Sequence, residues 1–295
     1  MTAMAGKDPE PAARDQPGTW QVLTTTERGA AHRASGVPNQ DAVAAFSIGP
    51  GGAVAAVADG HGHSRHFRSA RGAQLAVTVA SRAAHDLALR LGSLRTLAQA
   101  EEEMRGILVP GIVRQWRTAV LEDVAADPFS RVEDAVRGRD DATIAYGSTL
   151  LLAIAWRAWL LLTQIGDGDI VGIRPDGTAQ SPVPGDPRLD GRHTTSLCTP
   201  GAENSFRVGV VDTSRSALLG VLMATDGYGN AQVARDWEAA VSADLAGLIA
   251  TRPPQWLASQ LPAWAAKCAS LDGSADDTTI ALVLAADATP GPESR

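Results

Sequence analysis

The sequence predicts an α+β domain in which helices cover two packed antiparallel sheets. Three observations carry that expectation. β-type runs come first, two helical stretches follow, and then come more strands, two more helices and a last strand. The central runs, GSTLLLAIAW and WLLLTQIGD, are short, continuous and apolar, as strands buried on both faces are. Gly, Pro and Asp cluster between the runs, where turns belong.

Taken in order, residues 20–25, 41–48 and 53–58 read as strands separated by the turn-rich pieces GVPNQ and GPGG. GPGG lacks the Lys-Ser/Thr of a phosphate-binding loop and reads as a hairpin turn. Residues 64–91 turn helical, with Leu75 and Val79 able to share a face. A second helical region spans 94–124, with Leu97, Met104, Leu108, Ile112, Trp116 and Val120 as its core side. Pro110 and Gly111 should bend or interrupt it. The charged segment 127–141 reads as loop. Residues 147–173 read as a β-meander, and 178–204, rich in Pro, Gly and Asp, as a surface flap. Strands at 206–211 and 217–224, helices at 233–249 and 254–268, and a strand at 279–284 complete the domain. That domain spans 19–286, and the tails 1–18 and 287–295 read as disordered.

Composition narrows the function classes. A formal net charge of −7 over 295 residues argues against a general nucleic-acid binder, which needs a basic face. The longest apolar stretch, 150–162, is broken by Arg157 and falls short of the ~18–20 residues of a membrane span. The N-terminus has no apolar run of the secretory kind. Cys198 and Cys268 show no metal-ligand spacing, so both read as reduced thiols. A soluble cytoplasmic protein is expected, with no nucleic-acid or membrane partner.

The informative pattern is where the aspartates fall. Asp59, Asp167 and Asp226 each follow an apolar strand and precede a glycine. Asp41 opens a strand, and Asp276 and Asp277 precede the last one. A carboxylate at the end of a buried strand is costly unless paired or bound to a cation, and several together repel one another. Hard divalent cations such as Mg²⁺ or Mn²⁺ resolve both problems. Two of them ~3.5–4 Å apart can activate a shared water for in-line attack on phosphorus. Singly, each Asp could equally cap a helix or make an Asx turn. Such local roles do not explain why four or five strands end alike.

The ordered set HRASGVPNQDA, VADGHG, YGSTLLL, IGDGD, ATDGYG and GSADDTT resembles the metal-dependent protein phosphatases of type 2C, in particular a bacterial branch. The resemblance runs from about Trp20 to Ala285. It implies a β-sandwich of two antiparallel sheets flanked by helix pairs, a four-layer αββα fold. It also implies hydrolysis of phosphoserine or phosphothreonine in proteins by a metal-bridging hydroxide, with two Mn²⁺ or Mg²⁺ ions and a weaker third. By the same resemblance Asp59 bridges the two metals and the Gly60 carbonyl joins one. Asp41 serves a metal through water, Asp226 and Asp276 hold the other, and Asp167 helps hold the third. His61 matches the general acid. Asp277 stands where the family has Asn and would support the ligands. A serine/threonine kinase or its targets would be the partners.

Two departures accompany the match. Eukaryotic members carry an Arg before the first-motif acids that binds the substrate phosphate. Here His32 and Arg33 stand near that place, and either could contact phosphate. Gln40 replaces the usual Glu and brings no charge, which predicts weaker metal affinity. These departures motivate an alternative, a catalytically degenerate module that binds or senses a phosphoprotein. A further alternative is zinc, since His61, His63 and His66 form H-x-H-x-x-H. That motif resembles metallo-β-lactamase-fold hydrolases, but Arg65 stands where they carry Asp. Only His85 and His193 remain downstream as further ligands.

Overall fold

In the computed structural model, which describes residues 19–189 and 194–286, the apolar runs form two five-stranded antiparallel sheets. In chain order the elements are β1 (Trp20–Glu27), α1 (Ala30–Ser35), β2 (Ala42–Ile48), β3 (Gly52–Ala58), α2 (Ser69–Leu91), α3 (Leu97–Glu103), α4 (Val109–Ala126) and α5 (Arg131–Arg137). Then follow β4 (Leu150–Trp156), β5 (Trp159–Ile165), β6 (Asp169–Ile173), β7 (Ala179–Gln180), β8 (Arg207–Asp212), β9 (Gly220–Ala224), α6 (Asp226–Gly229), α7 (Trp237–Thr251), α8 (Pro254–Cys268) and β10 (Thr278–Ala285). One sheet has the order β1-β10-β9-β6-β7 and the other β2-β3-β4-β5-β8.

Strand alternation sorts the side chains into three cores. Along β3 and β4, Val54, Ala56, Leu152 and Ile154 point to α2 and α4, while Ala53, Ala55, Leu151 and Ala153 point to the other sheet. On that sheet Met223, Ala281 and Val283 face inward. Leu222, Ile280 and Leu282 face outward, against Leu245, Leu257 and Leu261 of α7 and α8. The layers are therefore helices, sheet, sheet, helices, the expected αββα sandwich. The GPGG hairpin is also present: β2 and β3 pair from Ala42↔Ala58 to Ile48↔Gly52, with Gly49 and Gly51 at positive φ.

Four local expectations are corrected. The second helical region breaks one turn before Pro110, as a π-turn at Met104–Leu108. Pro110 has no N–H and its ring would strike the carbonyl four residues back, so the wider turn relieves α4 at its first positions. Residues 127–141 are not all loop. They hold α5, opened by a reciprocal cap in which Ser130 Oγ accepts from Glu133 N at 3.2 Å and Glu133 Oε2 from Ser130 N at 2.8 Å. The meander ends at β5, because the chain turns at Gly166 (φ 102°) and places β6 in the opposite sheet. The flap is only partly superficial. Leu197, Cys198 and Ala202 are buried, and Leu197 N bonds Ser148 O at 2.9 Å, so its second half is wall rather than cover. The expected tails and His193 lie outside the described residues. Among the described residues no helix is long and apolar enough to cross a membrane.

Candidate active site

Antiparallel pairing delivers the carboxylates in twos. Ala42 pairs with Ala58, so Asp41 and Asp59 leave the same end of one sheet. Ile280 pairs with Ala224, so Asp226 and the Asp276–Asp277 pair leave the matching end of the other. Asp167 lies in the crossover between β5 and β6, where the chain passes from sheet to sheet. Five of these acids, Asp59, Asp167, Asp226, Asp276 and Asp277, line one cavity of about 600 Å³ together with Gly60, His61 and His32. Gly60 is pressed against neighbouring backbone, and a Cβ there would sit 2.7 Å from the Ser69 carbonyl carbon and oxygen.

Asp41 lies beneath the cavity rather than on its wall. Its Oδ2 accepts from Thr225 Oγ1 at 2.8 Å, a bond that ties the two sheets together. Its Oδ1 is buried with no hydrogen-bond partner among the described residues. Burial pushes the Asp41 carboxyl up to about 8, and Asp277 and Asp226 add repulsion. Asp59 is raised well above the usual range by burial and then by Asp41 and Asp226. Asp226 is raised by burial too, with Asp167 and Asp276 adding repulsion. Protein groups alone therefore leave this cluster short of positive charge. An orphaned carboxylate oxygen beneath a wall of hard oxygen donors fits divalent cations of the Mg²⁺ or Mn²⁺ kind.

Asp277 is 3% exposed and accepts three bonds: from Gly29 N at 2.6 Å, from Gln40 N at 2.6 Å and from His32 Nδ1 at 2.8 Å. His32, Asp276 and Asp277 are the one close group of potential ligand atoms among the described residues, all within 4.8 Å. Both Asp277 oxygens accept from donors, whereas Asp276 accepts only at Oδ1, from Asp277 N at 2.8 Å, among the described residues, which leaves its Oδ2 for a cation. Gln40 also works structurally. Its carbonyl accepts from Gly60 N at 3.1 Å, and its amide donates to Ser69 Oγ at 2.7 Å.

The two residues expected near the phosphate part company. His32 lines the cavity, but its Nδ1 is committed to Asp277. Arg33 is not a cavity residue; its guanidinium pairs with Glu27 at 2.7 Å and bonds the Arg28 carbonyl. His61 faces the cavity, where burial and then His66 lower it to about 4, so it is a neutral imidazole at neutral pH. The three histidines do not gather as zinc ligands. His66 Nδ1 lies 2.5 Å from Ile144 O, His63 Nδ1 accepts from Arg65 N at 3.2 Å, and the His63 and His66 rings are 6.2 Å apart.

The far wall was not legible in the sequence. Ser196, Cys198 and Thr199 come from the second half of the flap, and Arg65 from within the histidine motif, between His63 and His66. An aperiodic loop gives no signal for which of its side chains turn inward.

A family model described as protein phosphatase 2C matches residues 28–264, and the chain belongs to that family. Among solved structures, the serine/threonine phosphatase Stp1 from Staphylococcus aureus is similar with a TM-score of 0.58 at 14% identity, over 95% of this chain and 99% of that one. A bacterial serine phosphatase gives 0.56 at 15%, over 90% and 97%. PppA, a key regulatory component of T6SS in Pseudomonas aeruginosa, gives 0.54 at 17%, over 91% and 99%. No curated protein sequence matches the chain.

Proposed function

We propose that the chain hydrolyses phosphoserine and phosphothreonine in proteins, with Mn²⁺ or Mg²⁺ as cofactor. The observation that carries the reading is the convergence of Asp59, Asp226 and Asp276 in one cavity, above a buried Asp41 oxygen with no partner. Asp59, the Gly60 carbonyl, Asp226 and Asp276 are the groups assigned to two cations, with Asp41 beneath them and Asp167 serving a weaker third. Bound there, the cations would supply an activated water and neutralise the charge of the phosphoryl group.

The protein's own groups have separate tasks. Asp277 holds Gly29, Gln40 and His32 in place and so fixes the first motif against the last. His61 starts neutral. A phosphate dianion beside it raises its proton affinity, so that it can take up a proton from solvent water and pass it to the leaving alkoxide. Both cysteines are free thiols, which supports a reducing cytoplasmic setting. Serine/threonine kinases or their targets are the proteins that would carry the phosphate.

The test is phosphate release from a phosphothreonine peptide with Mn²⁺ or with EDTA, beside Asp59→Asn. Turnover that needs Mn²⁺ and disappears in the variant supports the reading. Folded protein that binds the peptide without turning it over under any metal would instead establish a phosphoprotein-binding module.

A further inference from the structure

Beyond the metal ions, a phosphoryl group in the cavity would gain from a side-chain cation on its oxygens, and the first motif offers none. Arg33 does not line the cavity, and His32, which does, has its Nδ1 bonded to Asp277. Among the described residues that line the cavity, Arg65 is the one permanent cation. Its backbone is fixed from both sides. His63 Nδ1 caps the Arg65 N–H at 3.2 Å, and the next residue, His66, is anchored to Ile144 O at 2.5 Å. The His66 ring also lies against that of His61, with centroids 5.0 Å apart, so the turn bearing Arg65 adjoins the expected proton donor.

The guanidinium is only lightly engaged. Its one hydrogen-bond partner among the described residues is Asp140, whose Oδ2 accepts from an Arg65 terminal nitrogen at 2.7 Å, and each side chain is 44% exposed. An exposed pair of this kind contributes little and exchanges readily. A phosphate dianion offers more charge and can engage the planar fork through two parallel bonds.

We propose that Arg65 binds the substrate phosphate, exchanging Asp140 for the phosphoryl oxygens, and that Asp140 competes with the substrate for it. This rests on the phosphatase reading above. The experiment measures p-nitrophenyl phosphate hydrolysis with Mn²⁺, and its inhibition by inorganic phosphate, for wild type, Arg65→Ala, Arg65→Lys and Asp140→Asn. Arg65→Ala should raise KM and the phosphate inhibition constant about tenfold or more, with kcat changing less. Arg65→Lys should restore part of that loss, and Asp140→Asn should tighten phosphate inhibition. Unchanged KM and inhibition in a folded Arg65→Ala protein would overturn the proposal. So would an effect confined to peptides with acidic flanking residues, since Arg65 would then read the peptide and not the phosphate. If wild type shows no turnover, the phosphatase reading fails separately. Inorganic phosphate binding by calorimetry on the same variants, loaded with Mn²⁺, then decides the role of Arg65.

Discussion

Asp277→Asn should destabilise the protein although it installs the residue that the family has at this place. The carboxylate accepts from three donors, with Oδ1 serving Gly29 N and Oδ2 serving both Gln40 N and His32 Nδ1. An asparagine keeps one acceptor oxygen. Whichever way the amide is turned, its NH₂ faces at least one donor. If the oxygen stays with Gly29, two charge-assisted bonds are lost, each worth ~1.5–3 kcal/mol, for a total of about 3–6 kcal/mol. In a domain of this size that lowers Tm by on the order of 10 °C. The assay is thermal unfolding in EDTA, so that cation binding plays no part. Asp276→Asn serves as control: that side chain is 52% exposed and accepts one bond, from Asp277 N at 2.8 Å, which an amide oxygen can also accept. A Tm for Asp277→Asn within about 2 °C of the control would refute the reasoning.

Stability should also depend on pH through Asp41. Its folded carboxyl is raised to about 8 from an ordinary value of 3.8, so the folded state keeps a proton that the unfolded state releases. That contribution is fully present below about 4 and is lost as pH rises through about 8. Metal-free protein should therefore melt lower at pH 9 than at pH 6, and a flat profile would remove Asp41 as the titrating group. Gly72→Ala should cost at least about 3 kcal/mol, because a Cβ there would lie 1.8 Å from the Tyr146 carbonyl oxygen; denaturant unfolding checks it, and a change under about 1 kcal/mol would contradict the packing. His61→Asn should lower turnover of an alkyl phosphate by about 10²–10⁴-fold and spare p-nitrophenyl phosphate, whose leaving group needs no proton. Equal losses on both substrates would point to positioning instead.

Most of the sandwich was legible because strand ends are marked by residues with a local reason to be there. An apolar run followed by Asp-Gly identifies both an element and its terminus, and three such termini, at Asp59, Asp167 and Asp226, converge in one cavity. The side of a buried strand carries no such mark. β6 reads like β4 and β5 in sequence, and its membership of the opposite sheet is set by the turn at Gly166. α5 was legible after all: Ser130 and Glu133 form the S-x-x-E cap, but the charge of the segment masked it. Arg33 and Arg65 show where pattern stops. Each adjoins a motif residue, yet Arg65 lines the cavity and Arg33 does not, and their partners, Asp140 and Glu27, lie 75 and 6 residues away in sequence.

The interface between the sheets sets alanines, Ala53, Ala55, Ala153, Ala155 and Ala281, among larger apolar side chains. Each sheet brings its own carboxylates to the cavity, so the distance between the two sets is the distance between the layers. The alanines act as a spacer gauge. One methyl added at Ala55 or Ala153, far from any acid, would pry the sandwich apart and widen the gap the cations must bridge. In such a variant, loss of metal affinity would report on packing rather than on ligand chemistry, and the tolerance of the ions sets how thick the middle of this protein is allowed to become.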